Sequence, residues 1–116
     1  MTIGGHTVNH PVLSRLTRER QREAIEGCAA RILAETGRPM EYFAYPDGNR
    51  WAFNDDTVAC LEAAGVRRAF SYYGGEATPA SPRFDTPRVA VEPHGELPDT
   101  DAMLRLPRIF CGRDPE

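Results

Sequence analysis

The side chains best suited to chemistry in this sequence are two imidazoles four residues apart, His6 and His10. They lie in Ile3-Gly4-Gly5-His6-Thr7-Val8-Asn9-His10-Pro11. Neutral imidazole is a common zinc ligand, and a catalytic zinc usually takes three protein ligands and a water. His6 and His10 would supply two of the three. Two solvated histidines in a loop, one hydrogen-bonded to a backbone carbonyl, would show the same spacing. Asp47 precedes Gly48, where a tight turn favours aspartate, and its carboxylate is also a candidate metal ligand. Asp55 and Asp56 resemble a carboxylate pair, but at a helix start they serve as cap and dipole residues. Trp51, Tyr72 and Tyr73 carry aromatic faces suited to lining a cleft, and Trp51 equally suits a core anchor for its loop. His94, in Glu92-Pro93-His94-Gly95, reads as a solvated turn residue.

The elements that must position these residues follow from periodicity and punctuation. Met1 to Gly5 read as the end of a strand entering a turn. Pro11 bars a regular helix through both histidines and biases His10 towards extended geometry. A helix spans 17–36, with Thr17 as N-cap, an apolar face of Ile25, Cys28, Ala29, Ile32 and Leu33, and Gly37 as the stop. Residues 41–45 form a buried strand bounded by Pro39 and Pro46. A second helix runs from Asn54 or Asp55 to Ala64, and 66–72 is the next strand. Residues 74–98 are rich in Gly, Pro, Ser and Thr and read as irregular, with a short strand at Val89–Val91. A short helix around Asp99–Met103 and a strand around Leu104–Ile109 follow. Strands alternating with helices predict a parallel sheet with ligands at the C-terminal strand ends. The histidine loop and the Pro46 loop both fall on that rim.

Bulk properties narrow the function classes. A chain of 116 residues is one domain at most. Its net charge of −3 gives no electrostatic case for nucleic acid or an anionic membrane surface. No apolar run is long enough to span a bilayer, and no secretory leader is recognisable, so location stays open. Cys28, Cys60 and Cys111 are odd in number and widely spaced, which fits neither a disulfide framework nor a cysteine zinc site. Cys28 and Cys60 read as small core hydrophobes.

Gly5-His6-Thr7-Val8-Asn9-His10-Pro11, Thr36-Gly37-Arg38-Pro39 and Phe43-Ala44-Tyr45-Pro46-Asp47-Gly48 together resemble the polysaccharide deacetylases, the NodB-homology enzymes of carbohydrate esterase family four. The resemblance runs from about Ile3 to Tyr72 and more loosely to Ile109. It implies an α/β fold, a distorted (β/α) barrel, that hydrolyses N-acetyl or O-acetyl groups on glycans. A divalent metal, most often zinc, would be held by an aspartate and two histidines, and His6 and His10 match the histidines. Thr7 matches the hydroxyl position that orients their loop. The backbone N–H of Asp47 would serve the oxyanion, while Tyr45, Pro46, Trp51 and Tyr72 would border the substrate. Family members often work at the cell envelope or outside the cell.

The departures are equally specific. The family's T-F-D-D-G motif, source of the metal aspartate and the base, precedes the histidines and has no counterpart here. Ala44 stands where the family has an arginine, Asp47 where one branch has a tyrosine, and the late L-x-H motif is not recognisable. The expectation is therefore a partial barrel lacking its N-terminal strands. It would carry two of three metal ligands and be weak or inactive alone. The alternative is a non-catalytic glycan-binding or structural module completed by another chain, with an exposed sheet edge that invites self-association.

Overall fold

The structure is a computed structural model that describes residues 1–90 and 97–106. It is organised on a three-stranded parallel sheet: β1 (Tyr42–Ala44), β2 (Arg68–Ser71) and β3 (Thr86–Pro87), in that spatial order. Phe43 pairs with Ala69, and Phe70 with Thr86. The expected first strand shrinks to one parallel bridge, Gly5 to Phe43. The Gly5 N–H donates to Tyr42 O and its carbonyl accepts from Ala44 N, both at 2.8 Å. Strand extent depends on partners, and this bridge is the one ladder contact of the segment among the described residues.

Helix α1 (Arg18–Thr36) and helix α2 (Asp55–Ala63) match their sequence signals closely. The Thr17 side chain accepts from Arg20 N at the start of α1, and Gly37 closes it in the left-handed conformation at φ 69°. Ile25 and Cys28 are buried as expected, but Leu33 is 52% exposed. It belongs to the last turns of α1, beside an open cleft where Ile32 and Thr36 face Met1–Ile3 and Tyr42. A ten-member core joins both helices to one sheet face through Leu13, Ile25, Met40, Phe43, Tyr45, Leu61, Val66 and Ala69, with Cys28 and Cys60 as inert members.

Alternation along the strands fixes the second face. Phe43 and Ala69 are buried, whereas Tyr42, Ala44, Arg68 and Phe70 point the other way and stay half-buried. Sequential strand order with α1 and α2 on the same face is the arrangement of a singly wound barrel. A doubly wound sheet carries helices on both faces.

A polar knot ties α1 to α2. Gln21 and Thr57 are fully buried; Thr57 Oγ1 donates to Gln21 Oε1, and Gln21 Nε2 donates to Leu16 O. Asn54 completes a capping box with Thr57 and accepts from Gln21 Nε2 at 3.4 Å. Asn54→Ala should therefore cost about 1–2 kcal/mol, at the upper end for a cap, because it also removes one of the two acceptors of the buried Gln21 amide. Urea unfolding of the variant checks this; an unchanged midpoint would contradict the role.

Two further expectations shift. The strand expected at Val89–Val91 lies earlier, at β3, where Thr86 and Pro87 are buried and Arg88 N donates to Ser71 O at 3.1 Å. Proline is tolerated in such an edge strand because one side of it needs no donor. Helix α3 (Leu97–Arg105) is longer than expected and takes in Leu104 and Arg105. Val91, His94, residues 107–109 and Cys111 lie outside the described residues.

Candidate functional site

Four successive parallel positions end on the same rim. His6 follows the Gly5 bridge, Asp47 follows β1, Tyr72 follows β2 and Arg88 follows β3. These residues, with His10, Val89 and Ala90, line one cleft of about 390 Å3. A hollow of about 540 Å3 runs from it along the open sheet face, sharing His6 and Arg88 and lined by Gly4, Tyr42, Ala44 and Phe70.

The two histidines meet edge to face, with ring centroids 4.8 Å apart. His6 Nδ1 lies 2.7 Å from Ala44 O. A carbonyl can only accept, so Nδ1 carries a proton, and in the neutral ring Nε2 keeps its lone pair. A backbone carbonyl that fixes the tautomer in this way is the usual support of a metal-ligating histidine. Thr7 Oγ1 accepts from His10 N at 3.0 Å and closes the loop between the imidazoles. His10 has φ 53° and so is left-handed, not extended; Thr7 is left-handed too, at φ 64°. The constraint from Pro11 yields to the tight turn that Thr7 closes.

The third strained residue is Asp47, at φ 59°. Gly48 N donates to Pro46 O at 2.7 Å, an i to i+2 bond that closes a γ-turn around it. Thr7, His10 and Asp47 are the non-glycine residues of positive φ among those described, and all three sit at this cleft or in the loop forming it. Such conformations cost of order 1–3 kcal/mol each and cluster where function demands them. The turn leaves the Asp47 N–H without a backbone acceptor among the described residues.

Tyr45 and Pro46, expected to border the substrate, are core residues with inaccessible side chains. Tyr45 stacks on Phe53 at 3.9 Å and donates to Phe84 O at 2.8 Å. Trp51 is 76% exposed, under the Arg50 guanidinium and off the cleft wall, so it does not anchor the core. Tyr72 does line the cleft. Tyr73 donates to Asp85 Oδ2.

Arg88 is the site residue that sequence reasoning missed. Its Nη2 donates to Tyr45 O at 2.8 Å, and its guanidinium lies 5.4 Å over the Tyr72 ring. Burial pushes its pKa below the usual guanidinium value, and Nε finds no partner among the described residues. Gly48 is needed beside it: a Cβ there would come within 2.9 Å of Arg88 Nη2 and 2.8 Å of Tyr72 Cβ, at φ 71°. The sequence carried no local signal for it, because the strand was expected after Arg88 and lies before it. Among the described residues no group of three or more His, Cys, Asp or Glu side chains is arranged to hold a metal. His6 and His10 thus bring two imidazoles together at this cleft, and Asp47 does not complete a three-member donor set with them.

The family model for polysaccharide deacetylases matches residues 1–69, which include both histidines and the Asp47 turn. The chain belongs to this family. Solved structures agree on the fold. A Streptococcus pyogenes deacetylase, PplD in complex with acetate, is 22% identical with a TM-score of 0.73, over 81% of this chain and 40% of that one. A Bacillus cereus polysaccharide deacetylase gives 23% and 0.63, over 76% and 27%. The deacetylase domain of BpsB from Bordetella bronchiseptica gives 25% and 0.56, over 62% and 26%. This chain therefore spans 40% or less of the length of each of these three structures. No curated protein matches it.

Proposed function

We propose that this chain contributes to metal-dependent hydrolysis of acetyl groups on a glycan, chiefly N-acetyl. His6 and His10 would hold a divalent metal, zinc first, together with a carboxylate from outside the described residues. The observation that carries this reading is the convergence of His6, His10, Asp47 and Arg88 on one rim of the sheet. When bound, the metal would polarise the acetyl carbonyl and ease deprotonation of water. The chain's own residues prepare the place. Ala44 O holds His6 with Nε2 free, and Thr7 holds the turn that brings His10 beside it. The Asp47 N–H offers a main-chain donor for the oxygen that gains charge as water adds to the acetyl carbon. Breaking the C–N bond then gives acetate and a free amine. Tyr72 supplies an aromatic wall for the sugar.

Zinc titration tests the metal half. With zinc about 100-fold above its Kd, the folded chain should gain about 2.7 kcal/mol, and His6→Ala should lose most of that gain. Equal stabilisation of both proteins would overturn the assignment. The chain alone should release little acetate from an N-acetylated chito-oligosaccharide, and robust turnover would remove the need for a further carboxylate. A second reading is a non-catalytic glycan-binding or structural module completed by another chain or by self-association. It is favoured by the incomplete donor set and by the half-exposed Tyr42 and Phe70 on the open sheet face.

A further inference from the structure

The opposite end of the sheet concentrates positive charge in a chain whose net charge is −3. Arg67, Arg68 and Arg83 line a cleft of about 430 Å3 with Tyr42 as its remaining wall. The sheet itself brings them together. Arg67 N donates to Glu41 O, which ties the approach to β2 to that of β1, and Ala69 N donates to Arg83 O, which ties β2 to the segment before β3. Three strand starts therefore meet at one place. Two of the guanidiniums are fixed there. Arg68 Nη1 donates to Thr86 Oγ1 at 2.8 Å, and that hydroxyl donates on to Pro82 O at 3.1 Å. Arg83 Nε donates to Arg67 O at 3.1 Å, with its guanidinium 5.1 Å over the Phe84 ring. Each anchor consumes one of the five N–H donors of an arginine. The carboxylate paired to this group is Glu41, 3.7 Å from Arg67, with both side chains substantially exposed. Among the described residues, three guanidiniums thus face the one carboxylate of Glu41.

We propose that this cleft is a binding site for a phosphoryl group, free or carried on a sugar. An excess of about two positive charges suits a phosphate dianion, and guanidinium forks match its oxygens in pairs. The site is separate from the histidine cleft. It sits at the N-terminal ends of the strands, roughly 10–13 Å away along four residues of extended chain. It does not depend on the deacetylase reading.

The test is titration of the full chain with inorganic phosphate and, separately, with glucose 6-phosphate, followed by the Nε–Hε signals of its arginines. Saturable shifts at Arg68 and Arg83, with Arg88 unmoved, are expected. Arg83→Gln, an exposed substitution, and Arg68→Gln, which keeps a donor for Thr86, should each weaken binding on the order of tenfold. Tighter binding of the sugar phosphate would identify the carried form, and equal binding the free ion. Shifts confined to Arg88 and the histidines, or binding that survives both substitutions in a chain with native circular dichroism, would overturn the proposal. So would the absence of saturable shifts in the unmodified chain.

Discussion

Tyr45→Ala should remove about 3–5 kcal/mol of stability, a large part of what a domain of this size possesses. Tyr45 has no exposed surface, stacks face to face on Phe53, and meets Phe43 edge on at 5.9 Å. Its hydroxyl holds Phe84 O, and its own carbonyl accepts from Arg88. Alanine would open a cavity where β1 enters the Asp47 turn, so the histidine cleft should lose its shape with the core. Tyr45→Phe keeps the ring contacts and should cost about 1 kcal/mol, the worth of a single hydrogen bond. The same side chain gives an alkaline signature. Burial, with the nearby Asp85 charge, raises its pKa above the ordinary 10.0. Above that pH the unfolded chain loses a proton that the folded chain keeps. Stability is therefore full below pH 10 and should fall above it, by about 1.4 kcal/mol per pH unit from this group. The sequence contains no lysine, so tyrosine and cysteine dominate that range. Denaturant midpoints of wild type and Tyr45→Phe between pH 9 and 11 check both claims; parallel pH profiles would refute the second.

Tyr45 also shows why the sequence could place the site loops but not every side chain in them. Phe43 and Tyr45 share a strand parity, so both point into the core, and with Pro46 buried as well the cleft side of that loop reduces to Asp47. Helices were legible because their signals are local: Thr17, Gly37 and Asn54 act on their own neighbours. Strand limits were not, because pairing partners decide them. Met1–Ile3 have the composition of a strand, yet the ladder reaches no further than Gly5. Arg88 was hidden for the same reason. Nothing local marks Pro87-Arg88-Val89 within a stretch rich in Gly and Pro. The register of β3 against β2 alone carries its guanidinium to the rim. The meeting of His6 and His10 at one cleft was legible because only a short loop separates them, although the left-handed turn that joins them was not.

Gly5→Ala should destabilise the chain strongly. A Cβ at Gly5 would lie 2.2 Å from Met40 Sδ, 2.9 Å from Phe43 Cδ2 and 3.1 Å from Cys28 Sγ. All three neighbours are core members, so none can retreat without disturbing another. Overpacking of this kind costs about 1–3 kcal/mol. The consequence reaches the site by a short path. Gly5 bridges Tyr42 and Ala44 through its own N–H and carbonyl, and the Ala44 carbonyl is what orients His6. Displacing Gly5 moves the residue before His6 against its anchor, so zinc stabilisation should weaken along with the fold. Gly27→Ala supplies the contrast. Gly27 lies inside α1, and a Cβ there meets nothing within 4 Å. The same methyl should there add about 0.5–1 kcal/mol, because alanine loses less backbone freedom on entering a helix. Two glycine-to-alanine changes should thus move the urea midpoint in opposite directions. A Gly5→Ala chain as stable as the wild type, with undiminished zinc binding, would mean that the packing around the bridge does not set the position of His6.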